Sequence, residues 1–116
     1  AGREEARRAV QLSLRKARAL DLAHIDHGEL HNPGDHVLVT SRGPEILDFG
    51  SASASRKPSN VTSLAGAIAR AARAAPREAL LRALRRYKER MDEESFSEVL
   101  RELDALEPDT VIGPEG

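Results

Sequence analysis

The chain has 116 residues, 40% of them hydrophobic and 32% charged, with a net charge of −1. That length holds one domain or a piece of one, and that charge gives no global field to steer nucleic acid or an anionic membrane. There is no Cys, which excludes disulfides and thiolate chemistry, and no apolar run approaches a membrane span. Both features fit a cytoplasmic protein.

Aromatic residues are limited to Phe49, Tyr87 and Phe96. The core must therefore be mostly Leu, Val, Ile and Ala, which suits helix packing. Residues 3–22 predict one amphipathic helix, with Ala6, Val10, Leu14 and Ala17 in a 3–4 residue spacing. The stretch from Asp21 to Asp26 ends it, and Gly28 breaks it. Residues 23–36 read as a polar loop rich in His and acids, with Pro33-Gly34 as a turn.

Val37-Leu38-Val39-Thr40 predicts a short strand. Ser41-Arg42-Gly43-Pro44 turns the chain, and residues 45–49 return as the second strand of a hairpin. Two short strands are marginal alone and need a helix over one face. Residues 50–60, with Ser51, Ser53, Ser55, Ser59, Arg56 and Lys57, read as an extended solvated loop.

Three more helices are predicted. The first covers about 62–74, capped by Asn60 or Thr62, with Leu64, Ile68 and Ala71 on one face. The second covers about 76–90, opened by Pro76, with Leu80, Leu84 and Tyr87 inward. The third covers about 93–106, capped by Asp92 or by a Ser95…Glu98 capping box, with Phe96, Val99, Leu100, Leu103 and Leu106 inward. Residues 108–116 read as a flexible tail. The expected fold class is mainly α with one β-hairpin.

The chemistry concentrates in two places. Asp48-Phe49-Gly50 closes the hairpin, and a carboxylate at a strand end before a Gly can face a cleft and hold a hard cation. Upstream lies His27-Gly28-Glu29-Leu30-His31-Asn32. His24, His27, His31 and His36, interleaved with Asp26, Glu29 and Asp35, also allow a transition-metal reading, although the spacing matches no standard zinc pattern. Arg70, Arg73, Arg77, Arg82, Arg85 and Arg86 make a basic stretch. Without interleaved aromatics it argues weakly for nucleic acid, and the acidic residues of 89–107 can pair with it instead.

Residues 20–64 resemble the catalytic-loop half of RIO-type and small archaeal serine/threonine-kinase-like proteins. The resemblance rests on His27-Gly28-Glu29-Leu30, the hairpin, Asp48-Phe49-Gly50, and the run Arg56-Lys57-Pro58-Ser59-Asn60-Val61-Thr62-Ser63. It implies a protein-kinase-like C-lobe over residues 1–107: helix, catalytic loop, hairpin, activation-like loop, three helices. By that likeness Asp48 holds Mg²⁺ bridging the phosphates of ATP, and Glu29 stands at the catalytic-base position. Asn32 and Asp48 become cofactor-binding residues, with Asn32 and His36 as auxiliary metal ligands.

Three departures shape the expectation. Glu29 replaces the usual Asp, one methylene longer. The loop is two residues longer than usual, so His36 stands where an Mg²⁺-binding Asn belongs, and Mg²⁺ prefers oxygen to imidazole. No glycine-rich loop or Val-Ala-Ile-Lys strand precedes the loop. The chain is therefore expected to be the C-lobe of a longer kinase-like protein, inactive alone, whose N-lobe or upstream domain completes the ATP site. Further expected partners are a protein substrate and a second copy bound through exposed apolar surface. The rival expectation is a non-catalytic, degenerate kinase-like scaffold or binding module.

Overall fold

The computed structural model describes residues 2–72 and 78–106. It has five helices and one two-stranded antiparallel hairpin among those residues, in the order α1 (Gly2–Leu22), α2 (Pro33–His36), β1 (Val37–Thr40), β2 (Gly43–Ile46), α3 (Asn60–Ala71), α4 (Glu78–Arg90) and α5 (Glu93–Asp104). The mainly helical class with one hairpin is as the sequence predicts. Pro76 and the 108–116 tail lie outside the described residues.

α1 is the central strut. Its stripe of Val10, Leu14 and Ala17 is buried, and it packs against α3 on one side and β2 on the other. α4 pairs with α5, and α5 reaches α3. Leu14, Leu30, Leu64, Ile68, Phe96, Val99 and Leu103 are all essentially inaccessible. Each such aliphatic or aromatic side chain contributes about 1.5–3 kcal/mol of transfer free energy. The scarce aromatics sit at the centre: Tyr87 and Phe96 are 6.0 Å apart, and the guanidiniums of Arg15 and Arg18 lie 5.4 Å from the Phe96 ring centre. These cations tie α1 to α5.

α1 ends in a Schellman motif. The N–H of Ile25 donates to the Leu20 carbonyl and that of His24 to the Asp21 carbonyl, both at 3.0 Å, with His24 at φ 62°. α5 is capped by Asp92, whose side chain accepts from the Ser95 N–H at 2.9 Å. The Ser95…Glu98 box does not form, because Glu98 turns to Arg86 in a two-pronged pair at 2.9 and 2.5 Å. Part of the basic stretch is thus paired within the molecule: Arg86 with Glu98, and Arg82 with Glu78.

The hairpin differs from its expected bounds. β2 covers Gly43–Ile46 rather than 45–49, pairing Thr40 with Gly43 and Val37 with Ile46 across a two-residue turn. Pro44 is tolerated because both strands of a two-stranded ladder are edges. The strand cannot reach Phe49, because Asp48 adopts φ 61° and turns the chain out of the extended conformation. A short helix, α2, also lies inside the expected loop, opened by Pro33.

α3 starts at Asn60, and Ser59 occupies its cap position without a side-chain cap bond. Neither Asn60 nor Thr62 serves as the cap. The first N–H groups are satisfied from across the chain instead: Ser59 N–H by Asp26, and Asn60 N–H by Asp21. Carboxylates at a helix N-terminus are favoured by its dipole and unpaired donors.

Candidate functional site

Two loops meet beside the hairpin. His27 is fully buried and joins them. Its Nε2–H donates to the Leu47 carbonyl at 2.9 Å, and its Nδ1 accepts from the Glu29 N–H at 3.2 Å. A carbonyl only accepts and an N–H only donates, so these two bonds define the Nε2–H tautomer. The ring also meets Phe49 edge-on at 4.8 Å and His36 at 5.1 Å. His27 is thus a structural residue bonded to the backbone next to Asp48.

His27 is itself held by a buried polar network. Its N–H donates to Asn60 Oδ1 at 2.7 Å. Asn60 Nδ2 donates to the Ile25 carbonyl and to Asp21, at 2.7 and 2.8 Å. Asp21 is 0% exposed. It also accepts from the Tyr87 hydroxyl at 2.7 Å and from the Asn60 N–H at 2.9 Å. Burial first, and the Asp21 carboxylate second, push the Tyr87 pKa well up. Residue spacing places Tyr87 on an apolar face and gives no role to Asp21. A signal existed: the stripe Val10, Leu14, Ala17 continues onto Asp21, placing a carboxylate in an apolar register.

The clamp brings three side chains together. His36 Nε2 lies 3.6 Å from Glu29 Oε1 and 3.8 Å from Asp48 Oδ2. Its Nδ1–H faces the Asn32 carbonyl at 3.1 Å. His36 is buried, whereas His24 and His31 are exposed. Asn32 joins through its backbone, its N–H donating to the Glu29 carbonyl at 3.0 Å. Its side chain is exposed. Asp48 keeps an open carboxylate, 66% exposed, with one local bond from the Gly50 N–H at 3.3 Å. A non-glycine residue at positive φ is uncommon, Asp being among the types that tolerate it.

The serine-rich loop of residues 50–59 is not free. Asp26 and Ser53 form an isolated antiparallel bridge. Arg56 Nε donates to Asp26 at 2.8 Å, and its Nη2 donates to the Ser51 carbonyl at 2.7 Å. Ser51 Oγ–H donates to Glu29 Oε2 at 2.5 Å. Burial acts to raise the Asp26 pKa, but the Ser59 N–H and the Arg56 guanidinium outweigh it and hold it below its ordinary value. Arg56, expected in a solvated loop, is engaged internally.

Gly28 explains the close fit. Its φ is 96°, and a Cβ there would lie 2.8 Å from both Arg56 Nη2 and the Ser51 carbonyl oxygen. Only glycine lets the two loops approach this closely.

Among the described residues, no three His, Cys, Asp or Glu side chains are grouped to hold a metal ion. A structural zinc site needs four protein ligands and a catalytic one three, so the histidine-rich transition-metal reading has no such set here. Mg²⁺ is bound differently, through one or two carboxylates, with water and substrate phosphates completing its shell. The exposed Asp48 carboxylate fits that demand. A separate cleft of about 410 Å³ lies between α1 and the hairpin turn, lined by residues that include Arg8, Leu12, Val39 and Arg42; it shares no residue with the Glu29–His36–Asp48 group. Among the described residues, no helix is long and apolar enough to cross a membrane.

No family model, curated protein or solved structure matches this chain.

Proposed function

We propose that this chain is the C-lobe of a kinase-like phosphotransferase and carries half of its site. The observation that supports this best is the His27 clamp. It joins the His27-Gly28-Glu29-Leu30 loop to Asp48-Phe49-Gly50 and gathers Glu29, His36 and Asp48 on one side. The proposed reaction transfers the γ-phosphoryl group of ATP to a Ser or Thr hydroxyl of a protein substrate. The bond from phosphorus to the bridging oxygen breaks, ADP leaves, and the hydroxyl proton passes to Glu29. Asp48 would hold Mg²⁺, with Asn32 and His36 as auxiliaries; the ion supplies neutralisation of phosphate charge. A cytoplasmic location belongs to the same proposal.

The chain alone is proposed to be inactive, with the glycine-rich cover and its Lys provided by an N-lobe or upstream domain. Exposed apolar side chains support a covering partner: Leu47 and Phe49, which flank Asp48 in the chain, are 42 and 44% exposed. The same surface supports the second reading, a non-catalytic module that docks a partner or a second copy there.

Calorimetric titration with millimolar Mg²⁺·ATP distinguishes the two. Weak binding lost in Asp48→Ala is expected for the half-site. Equal heats from wild type and Asp48→Ala would favour the scaffold. Phosphoryl transfer by the chain alone, abolished in Asp48→Ala, would overturn its proposed inactivity.

A further inference from the structure

We infer that Ser51 and Arg56 are positioning residues for the Glu29 carboxylate, which rests on reading Glu29 as the base-position residue. The contacts run in one line. Asp26, largely buried, anchors Arg56 through Nε at 2.8 Å. Arg56 grips the Ser51 carbonyl at 2.7 Å. Ser51 Oγ–H then holds Glu29 Oε2 at 2.5 Å. Gly28, lacking a Cβ, leaves the space through which the Arg56 fork reaches Ser51.

This arrangement answers a chemical difficulty. Glu has one more rotatable bond than Asp, so an unrestrained Glu29 carboxylate samples more positions, and misplacement by an ångström can cost on the order of 10²-fold in rate. A hydroxyl-to-carboxylate bond is charge-assisted and stronger than a neutral one. It also engages only one oxygen. Oε1 remains available, since His36 Nε2 at 3.6 Å lies beyond hydrogen-bond range. Because Arg56 fixes the Ser51 backbone, the ordering cost is shared with the loop closure and does not fall on the Glu29 bond alone.

The test observes Glu29 itself, in the whole chain and without nucleotide. Three-bond NMR couplings across the Glu29 χ1 bond should report one staggered rotamer in wild type and in Ser51→Thr, which keeps the hydroxyl. They should collapse to averaged values in Ser51→Ala. Arg56→Lys, which keeps the charge beside Asp26 but loses the fork, should average Glu29 as well, while the His27 amide shift stays in place as a check on the fold. Unchanged couplings in Ser51→Ala would overturn the inference; unchanged couplings in Arg56→Lys would remove Arg56 from it. Mg²⁺·ATP is added last. Failure to bind at that stage would count against the kinase-like reading and leave the rotamer result standing.

Discussion

The Nε2–H of His27 donates to the Leu47 carbonyl at 2.9 Å, joining two segments 20 positions apart. The bond decides what the site contains. On the His27 side it sets Glu29, whose N–H donates to His27 Nδ1. On the Leu47 side it sets Asp48, the next residue, in its positive-φ turn. Backbone pairing here is limited to the Asp26–Ser53 bridge and the Leu47 N–H bond to the His36 carbonyl at 2.8 Å, and the imidazole adds a side-chain link between the two segments.

The foundation of that clamp is Asp21, and its removal should be costly. Asp21→Ala leaves the Tyr87 hydroxyl, the Asn60 N–H and Asn60 Nδ2 short of an acceptor. Buried polar groups without partners cost about 1–3 kcal/mol each, so a loss of about 3–5 kcal/mol is expected in urea unfolding. Tyr87→Phe removes one donor and should cost about 1–3 kcal/mol. The double variant should lose less than the sum, because both changes break the same bond.

Gly28→Ala should damage the site more than its size implies. The new methyl meets a backbone oxygen at 2.8 Å, and its φ of 96° is strained for any L side chain. We expect a loss of about 1–3 kcal/mol. Hydrogen exchange should rise at Ser53 and Asp26, which bond to each other across the two loops. An exchange pattern identical to wild type would contradict the close approach described here.

Acid should weaken the fold in a defined direction. The Asp26 pKa lies below its ordinary value of 3.8. Its contribution is therefore complete above that ordinary value and is lost as pH falls through the lower folded-state value. Asp92, bonded by Ser95, and Glu98, bonded by Arg86, are also lowered and act in the same direction. The contribution of these carboxylates to the urea midpoint should fall only below the ordinary carboxylate range. Asp26→Asn should start from a lower midpoint and fall less steeply.

Much of this architecture is readable from residue spacing. The α1 stripe, the hairpin and the Asp92 cap each follow from local pattern. β2 starts two residues and ends three residues earlier than expected because its limits are conformational: Thr40 pairs with Gly43 across the turn, and Asp48 leaves the extended region. Asn60 is of a residue type that favours helix caps. It turns inward instead, since Asp21 and Asp26 satisfy the α3 N-terminus from a distance. Glu29, His36 and Asp48 were each legible as candidates, and the structure brings them together. The contribution of Asn32 through its backbone was not legible, because side-chain type carries no information about backbone carbonyls. Ser51 was hidden for a related reason: in a serine-rich loop, sequence does not distinguish the one hydroxyl that meets Glu29.

The most direct measurement of the central claim is a site-resolved NMR titration of this chain with Mg²⁺·ATP. Weak binding is expected, with shifts concentrated at Glu29, His36, Asp48 and Gly50, and no such shifts in Asp48→Ala. Shifts absent from these residues at millimolar Mg²⁺·ATP, or unchanged in Asp48→Ala, would contradict it.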